Sequence, residues 1–108
     1  MSQYHLGEFE EIALLTVAIL NGDAYGVSII EEIEGRLDRN VSLGAIQTVL
    51  KRLEEKELVK SAFGEATKIR GGKRKRFYAL TAKGQRVLTE SKNKRISLWN
   101  AIPKMALK

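Results

Sequence analysis

Between Thr67 and Leu80 the chain reads TKIRGGKRKRFYAL, a stretch that cannot contribute to a hydrophobic core over most of its length. It holds six cations: Lys68, Arg70, Lys73, Arg74, Lys75 and Arg76. No acid occurs from Ala66 to Thr89. Gly71 and Gly72 supply the positive backbone angles that a tight tip demands, and RFYAL after them alternates like a strand. Leu58 to Phe63 alternates in the same way ahead of it. The segment therefore predicts a two-stranded finger with a cationic tip, suited to reaching a polyanion.

The elements before the finger are helical by spacing. Leu6 to Leu20 carries the acids Glu8, Glu10 and Glu11 in its first turn and is apolar on most sides, as a central buried helix would be. A second helix is expected from about Tyr25 to Leu37, with Asp23 as its cap. Val27, Ile30, Ile33 and Leu37 share its inner face. Ser42 is a good N-cap for a third helix. In that helix Leu43, Ile46, Leu50 and Leu53 form a buried stripe, and Gln47, Thr48, Lys51, Arg52 and Glu55 face away. After the finger, Thr81 can cap a last helix from Ala82 to about Ile102, which Pro103 would end. Val87, Leu88, Ser91, Arg95, Leu98, Trp99 and Ile102 lie on one side of it. The order helix, helix, helix, strand, basic turn, strand, helix is an α+β arrangement, mostly α: a winged helix-turn-helix with an added C-terminal helix. Residues 1–81 would be the winged domain and 82–108 the appended helix.

Charge sharpens what the fold can do. The net charge is +6, but it is segregated. Residues 1–38 carry eight acids and one base, a net −7; residues 39–108 carry eighteen bases and five acids, a net +13. A one-sided field of this kind orients an approaching duplex. The third helix is thin enough for a major groove. Its Gln47 and Thr48 can probe base edges, Lys51 and Arg52 can touch phosphate or guanine, and Ser42 can seat the helix start on a phosphate. In the finger, Lys68, Arg70, Lys73, Arg74 and Lys75 would hold phosphates, with Gly71 and Gly72 letting the backbone approach. Tyr25 and Tyr78 can each be either a phosphate contact or a core aromatic. On the last helix, Val87, Leu88, Leu98, Trp99 and Ile102 have no core of their own and call for a partner, most simply a second copy of the chain.

Other chemistries lack their residues. There is no cysteine, so disulfides and thiolate metal sites are excluded. His5 is the only histidine and has no partner at metal-binding spacing. Gly71-Gly72-Lys73 is not followed by the rest of a phosphate loop. No set of nucleophile, base and orienting group is present, so no enzyme and no cofactor is expected. The longest apolar run, Ile12 to Leu20, is too short to span a bilayer. These features fit a soluble cytoplasmic protein.

Four segments resemble the PadR-like transcriptional regulators: LGEFEEIALLTVAIL (Leu6 to Leu20), AYGVSIIEEIE (Ala24 to Glu34), VSLGAIQTVLKRLEEKELVKS (Val41 to Ser61) and GGKRKRFYALTAKGQRVL (Gly71 to Leu88). They cover most of the chain in one order. The resemblance implies a homodimer built through the last helix, reading an inverted repeat in double-stranded DNA, and a repressor. In some relatives an aromatic compound binds in the dimer interface and weakens DNA binding; Trp99 is placed to line such a site or to anchor the dimer. Two features depart from the pattern. Gln47 stands where the family often has tyrosine, replacing aromatic contact by an amide that can pair with adenine. The C-terminal part is about one helix long, as in the family's smaller members. The alternatives are a winged-helix module that binds another protein, or a nucleic-acid-binding protein without sequence preference.

Overall fold

The computed structural model of the chain describes residues 6–64 and 74–106. Four helices and one hairpin follow in the order α1 (Glu8–Leu20), α2 (Gly26–Leu37), α3 (Leu43–Glu55), β1 (Val59–Phe63), β2 (Arg76–Leu80) and α4 (Ala82–Ala101), with a 3₁₀ turn at Lys104–Ala106. His5, Lys68, Arg70, Gly71, Gly72 and Lys73 lie outside the described residues.

Local chemistry sets most boundaries. Glu10 Oε1 accepts from the Gly7 N–H at 2.9 Å and closes the start of α1. The helix ends where Asn21 (φ 23°) and Gly22 (φ 99°) turn left-handed, the latter in a region that disfavours any side chain. Tyr25, not Asp23, holds the N-cap position of α2. The Ser28 hydroxyl accepts from the Tyr25 N–H and donates to the Asp23 carbonyl, so Asp23 serves through its backbone. Ser42 and Thr81 cap α3 and α4 as expected, accepting from Ala45 N–H and Gly84 N–H at 3.1 and 2.9 Å.

The core lies where α1, α2 and α3 meet the root of the hairpin. Leu14, Ile29, Ile33, Ile46, Leu50, Leu53 and Leu58 are fully buried. Each contributes on the order of 1.5–3 kcal/mol by leaving water. Three expectations shift. Leu15 and Ile19 are 46% and 49% exposed, so α1 is not enclosed on all sides. On α2 the inner face is Ser28, Ile29 and Ile33, while Val27 and Leu37 reach its margins. Leu43 is exposed; the buried stripe of α3 is Ile46, Val49, Leu50 and Leu53. In each case the apolar residues outnumber the positions that neighbouring helices can cover, and the outermost stay wet.

The hairpin is antiparallel, with Val59 opposite Leu80 and Phe63 opposite Arg76. The Tyr78 N–H donates to the Ala24 carbonyl at 2.8 Å, tying β2 to the turn before α2. At Gly64 a Cβ would sit 2.6 Å from the Phe77 ring, so any larger residue obliges that ring to move. The first half of α4 packs on this body. Gly84 and Val87 are buried, and Leu88 and Ser91 half-buried. Every residue from Lys92 to Ala101 is exposed. The radius of gyration is 16.1 Å. About 13 Å is usual for a compact chain near this length, so the far half of α4 projects.

Candidate nucleic-acid interface

The exposed side of α3 presents Gln47, Thr48, Lys51 and Arg52, with Ser42 at its start. They are displayed because Ile46, Val49, Leu50 and Leu53 take the opposite side into the core. Their hydrogen-bonding capacity differs. The Thr48 hydroxyl donates to the Gly44 carbonyl at 2.9 Å, so Thr48 offers outward an acceptor lone pair and a methyl group. The Ser42 hydroxyl accepts from Ala45 and keeps its own proton free for an incoming acceptor.

The hairpin root stands beside this helix. Gln47 and Leu43 of α3, Tyr25, Gly26 and Val27 at the start of α2, and Arg74, Lys75, Arg76 and Tyr78 line one cleft of about 510 Å³. Space in it is tight: a Cβ at Gly26 would meet Leu43 Cδ1 at 3.1 Å. An aromatic ring faces Lys75. The Lys75 ammonium lies 4.2 Å from the Tyr25 ring centroid, and Tyr25 meets Phe77 edge-on at 5.5 Å. Tyr25 thus joins α2 to the wing. Tyr78 is half-buried against the core. Burial pushes its hydroxyl above the usual tyrosine value, with the Arg76 charge pulling the other way and Glu54 adding to the rise. At neutral pH it remains an O–H donor.

Of the expected DNA-facing residues, the structure brings Gln47, Tyr25, Tyr78, Arg74 and Lys75 to one cleft. Lys51 lines an adjoining cleft with Glu54, Glu55, Arg76 and Tyr78. Of the residues grouped on the last helix, Val87 is buried in the chain's own core, Leu88 and Ile102 are half-buried, and Leu98 and Trp99 are 72% and 62% exposed. Ile96, at 46% exposed, joins them.

Several contacts had no signature in the sequence. Glu11 accepts from Ser91 Oγ at 2.6 Å and from Arg95 Nε and a terminal guanidinium nitrogen at 3.2 and 2.7 Å, clamping α4 to α1. Glu54, Ser61 and Arg76 link α3 to both strands of the wing. Glu10 meets Lys56 at 2.8 Å. Burial alone would raise the Glu10 carboxyl, but Lys56 and the Gly7 N–H outweigh it and hold it below the usual value. These partners are distant in sequence and follow no local spacing. The exposed pair Leu15 and Ile19 could have been found by noting that they lie off the stripe that holds Ala13, Leu14 and Val17.

The family model described as "Transcriptional regulator PadR-like family" matches residues 14–90. Among solved structures, a PadR-like transcription factor from Bacteroides fragilis superimposes with a TM-score of 0.72 at 26% identity, covering 85% of this chain and 84% of that one. A PadR family transcription regulator from Clostridium difficile R20291 gives 0.66 at 28% identity over 82% and 91%. A PadR-like regulator from Bacillus cereus, at 19% identity, shares the fold with a TM-score of 0.73 over 93% and 92%. No curated protein matches the chain.

Proposed function

The chain belongs to the PadR-like family of transcriptional regulators, and from that premise we propose that it is a homodimeric, sequence-specific DNA-binding repressor that reads an inverted repeat. The supporting observation is the common cleft: Gln47 of α3 and Arg74 and Lys75 of the wing root face the same space. A major groove entered by α3 would bring the neighbouring backbone under the wing. In this reading Gln47 and the outward lone pair and methyl of Thr48 contact bases. Lys51, Arg52 and the free Ser42 proton contact phosphate or guanine. Lys68, Arg70, Gly71, Gly72, Lys73, Arg74 and Lys75 position the backbone, with the Tyr25 and Tyr78 hydroxyls as further phosphate donors.

Residues 82–108 serve as the dimerisation arm. Leu98 and Trp99, with Leu88 and Ile102 beside them, supply the apolar surface that a second copy would cover. Trp99 anchors that interface, and a planar aromatic effector bound against it would weaken DNA binding. A DNA-bound regulator of this kind works in the cytoplasm, on the nucleoid.

The test is a gel shift with a duplex recovered by selection from random sequences, at two salt concentrations, against bulk duplex. The reading predicts retention of the selected duplex in excess bulk DNA. Equal competition by bulk duplex would reduce the protein to a nonspecific binder. Gln47→Ala is expected to change the selected consensus more than the total affinity; an identical consensus would remove Gln47 from base reading. Because Trp99 is the only tryptophan, its fluorescence reports directly on an effector. Quenching by a planar aromatic supports the ligand site, and silence across a broad set leaves Trp99 as an anchor alone.

A further inference from the structure

Glu54 is an anion on the wing-facing side of α3, among cations that the preceding reading assigns to DNA. Its carboxylate is engaged on both oxygens. Oε2 accepts from Ser61 Oγ at 2.6 Å, and Oε1 faces a terminal nitrogen of Arg76 at 3.5 Å. Ser61 Oγ in turn accepts from Arg76 Nε at 2.9 Å. The central carbon of the same guanidinium lies over the Phe63 ring, 5.2 Å from its centroid. One residue each comes from α3, β1 and β2.

The position of the network matters as much as its bonds. β2 is held from its middle inward: Tyr78 N–H meets Ala24 and, just past the strand, Thr81 N–H meets Leu58. Arg76 and Phe63 form the outermost pair of the ladder, where the wing leaves the body. Tyr25, against Lys75 and Phe77, ties the wing to α2; the tilt of the wing toward or away from α3 is a separate freedom. The Glu54–Ser61–Arg76 link closes the triangle from α3 to the outer end.

We propose that Glu54, Ser61 and Arg76 form a latch that sets the pitch of the wing against α3, and that Arg76 is therefore a positioning residue and not a phosphate contact. The proposal rests on the DNA-binding reading above. The pair is exposed, so it adds little to overall stability. Its effect falls on the relative placement of two DNA contacts that must be made together, and so on discrimination between duplexes.

Simple electrostatics predicts the opposite of the latch. Removing the Glu54 charge from a DNA-facing surface should tighten binding to every duplex. The latch predicts that Glu54→Gln, Ser61→Ala and Arg76→Lys each lower the ratio of selected-duplex to bulk-duplex affinity by about 3- to 10-fold, in the lower part of the range of couplings within one network, as suits an exposed one. Ser61→Thr, which keeps the hydroxyl, restores the ratio. Glu54→Gln combined with Arg76→Lys loses no more than either alone. Arg76→Gln leaves the salt slope unchanged, whereas loss of a phosphate contact lowers it by about one unit. Tighter binding of all duplexes by Glu54→Gln together with a reduced slope for Arg76→Gln overturns the proposal. Amide exchange in the free protein separates the two readings. Faster exchange in β1 and β2 of Glu54→Gln, with the helical core unchanged, is expected. Unchanged exchange beside a discriminating wild type overturns the latch. Faster exchange beside a wild type that retains no duplex overturns the DNA reading instead.

Discussion

The two halves of α4 obey opposite rules. From Ala82 to Ser91 the helix is anchored: Thr81 caps it, Gly84 lies against the α3–β1 corner, Val87 enters the core and Ser91 meets Glu11. From Lys92 to Ala101 all residues are exposed, including Ile96, Leu98 and Trp99. One continuous helix thus carries a segment whose apolar groups are satisfied within the chain and a segment whose apolar groups are not. The first half belongs to the fold of the single chain. The second half shows where that fold stops being sufficient.

The strongest way to break this contrast is to disturb the anchored half. A Cβ at Gly84 would fall 2.1 Å from the Leu58 carbonyl oxygen, which is backbone and cannot step aside. Gly84→Ala is expected to destabilise the chain by about 3 kcal/mol, the upper part of the overpacking range, measured by denaturant unfolding. A loss below about 1 kcal/mol would show that the corner yields and that α4 is less firmly seated than described.

The projecting half should respond in the reverse sense. Trp99→Ala is expected to leave the unfolding free energy of the monomer unchanged. Its dimer dissociation constant should rise roughly 30-fold, a loss of about 2 kcal/mol, as for an interface anchor. Equal association of variant and wild type would place the partner surface elsewhere, with the exposed Leu15 and Ile19 of α1 the next surface to substitute.

Glu11 marks the border between the halves. Glu11→Ala removes the acceptor of both Ser91 and Arg95, at a cost of about 1 kcal/mol. Hydrogen exchange should accelerate from Ser91 onward and stay unchanged around Val87. Uniform acceleration along α4 would erase the border.

The smallest effect concerns Glu10, inside the anchored body. Its folded carboxyl lies below the ordinary value, so its contribution to stability is present above the unfolded carboxylate value of about 4.3 and is lost as pH falls through the lowered folded value. Glu10→Gln should lower stability slightly at neutral pH and flatten the acid limb of a stability-versus-pH curve, so that the two proteins converge below about pH 4. Parallel curves for the two proteins would mean that Lys56 does not hold Glu10 in solution.

Most of the frame was legible from short-range chemistry. Ser42 and Thr81 are caps by residue type, and the polar side of α3 follows from the spacing of Ile46, Leu50 and Leu53. The order of elements pointed to a winged helix for the same reason. What escaped depends on where elements come to rest. Leu43 and Val27 fit an apolar stripe by period, yet they sit at its margin and line the cleft beside the wing. Whether a stripe's edge is covered depends on the neighbour's width, which no spacing encodes. Glu11 with Arg95, and Glu54 with Arg76, join residues that only tertiary packing brings together, and a surface carboxylate looks the same in sequence with or without such a partner. Asp23 was a plausible cap by type, but Ser28 reached the Tyr25 N–H from inside the helix.

The central claim is that two copies, joined through the projecting half of α4, act on one selected duplex. Sedimentation equilibrium of the protein with that duplex tests it most directly. The account predicts a free particle of twice the 12.1 kDa chain mass at micromolar concentration, and two chains on each duplex. A 12.1 kDa particle that binds selected and bulk duplex alike, one chain at a time, would contradict it.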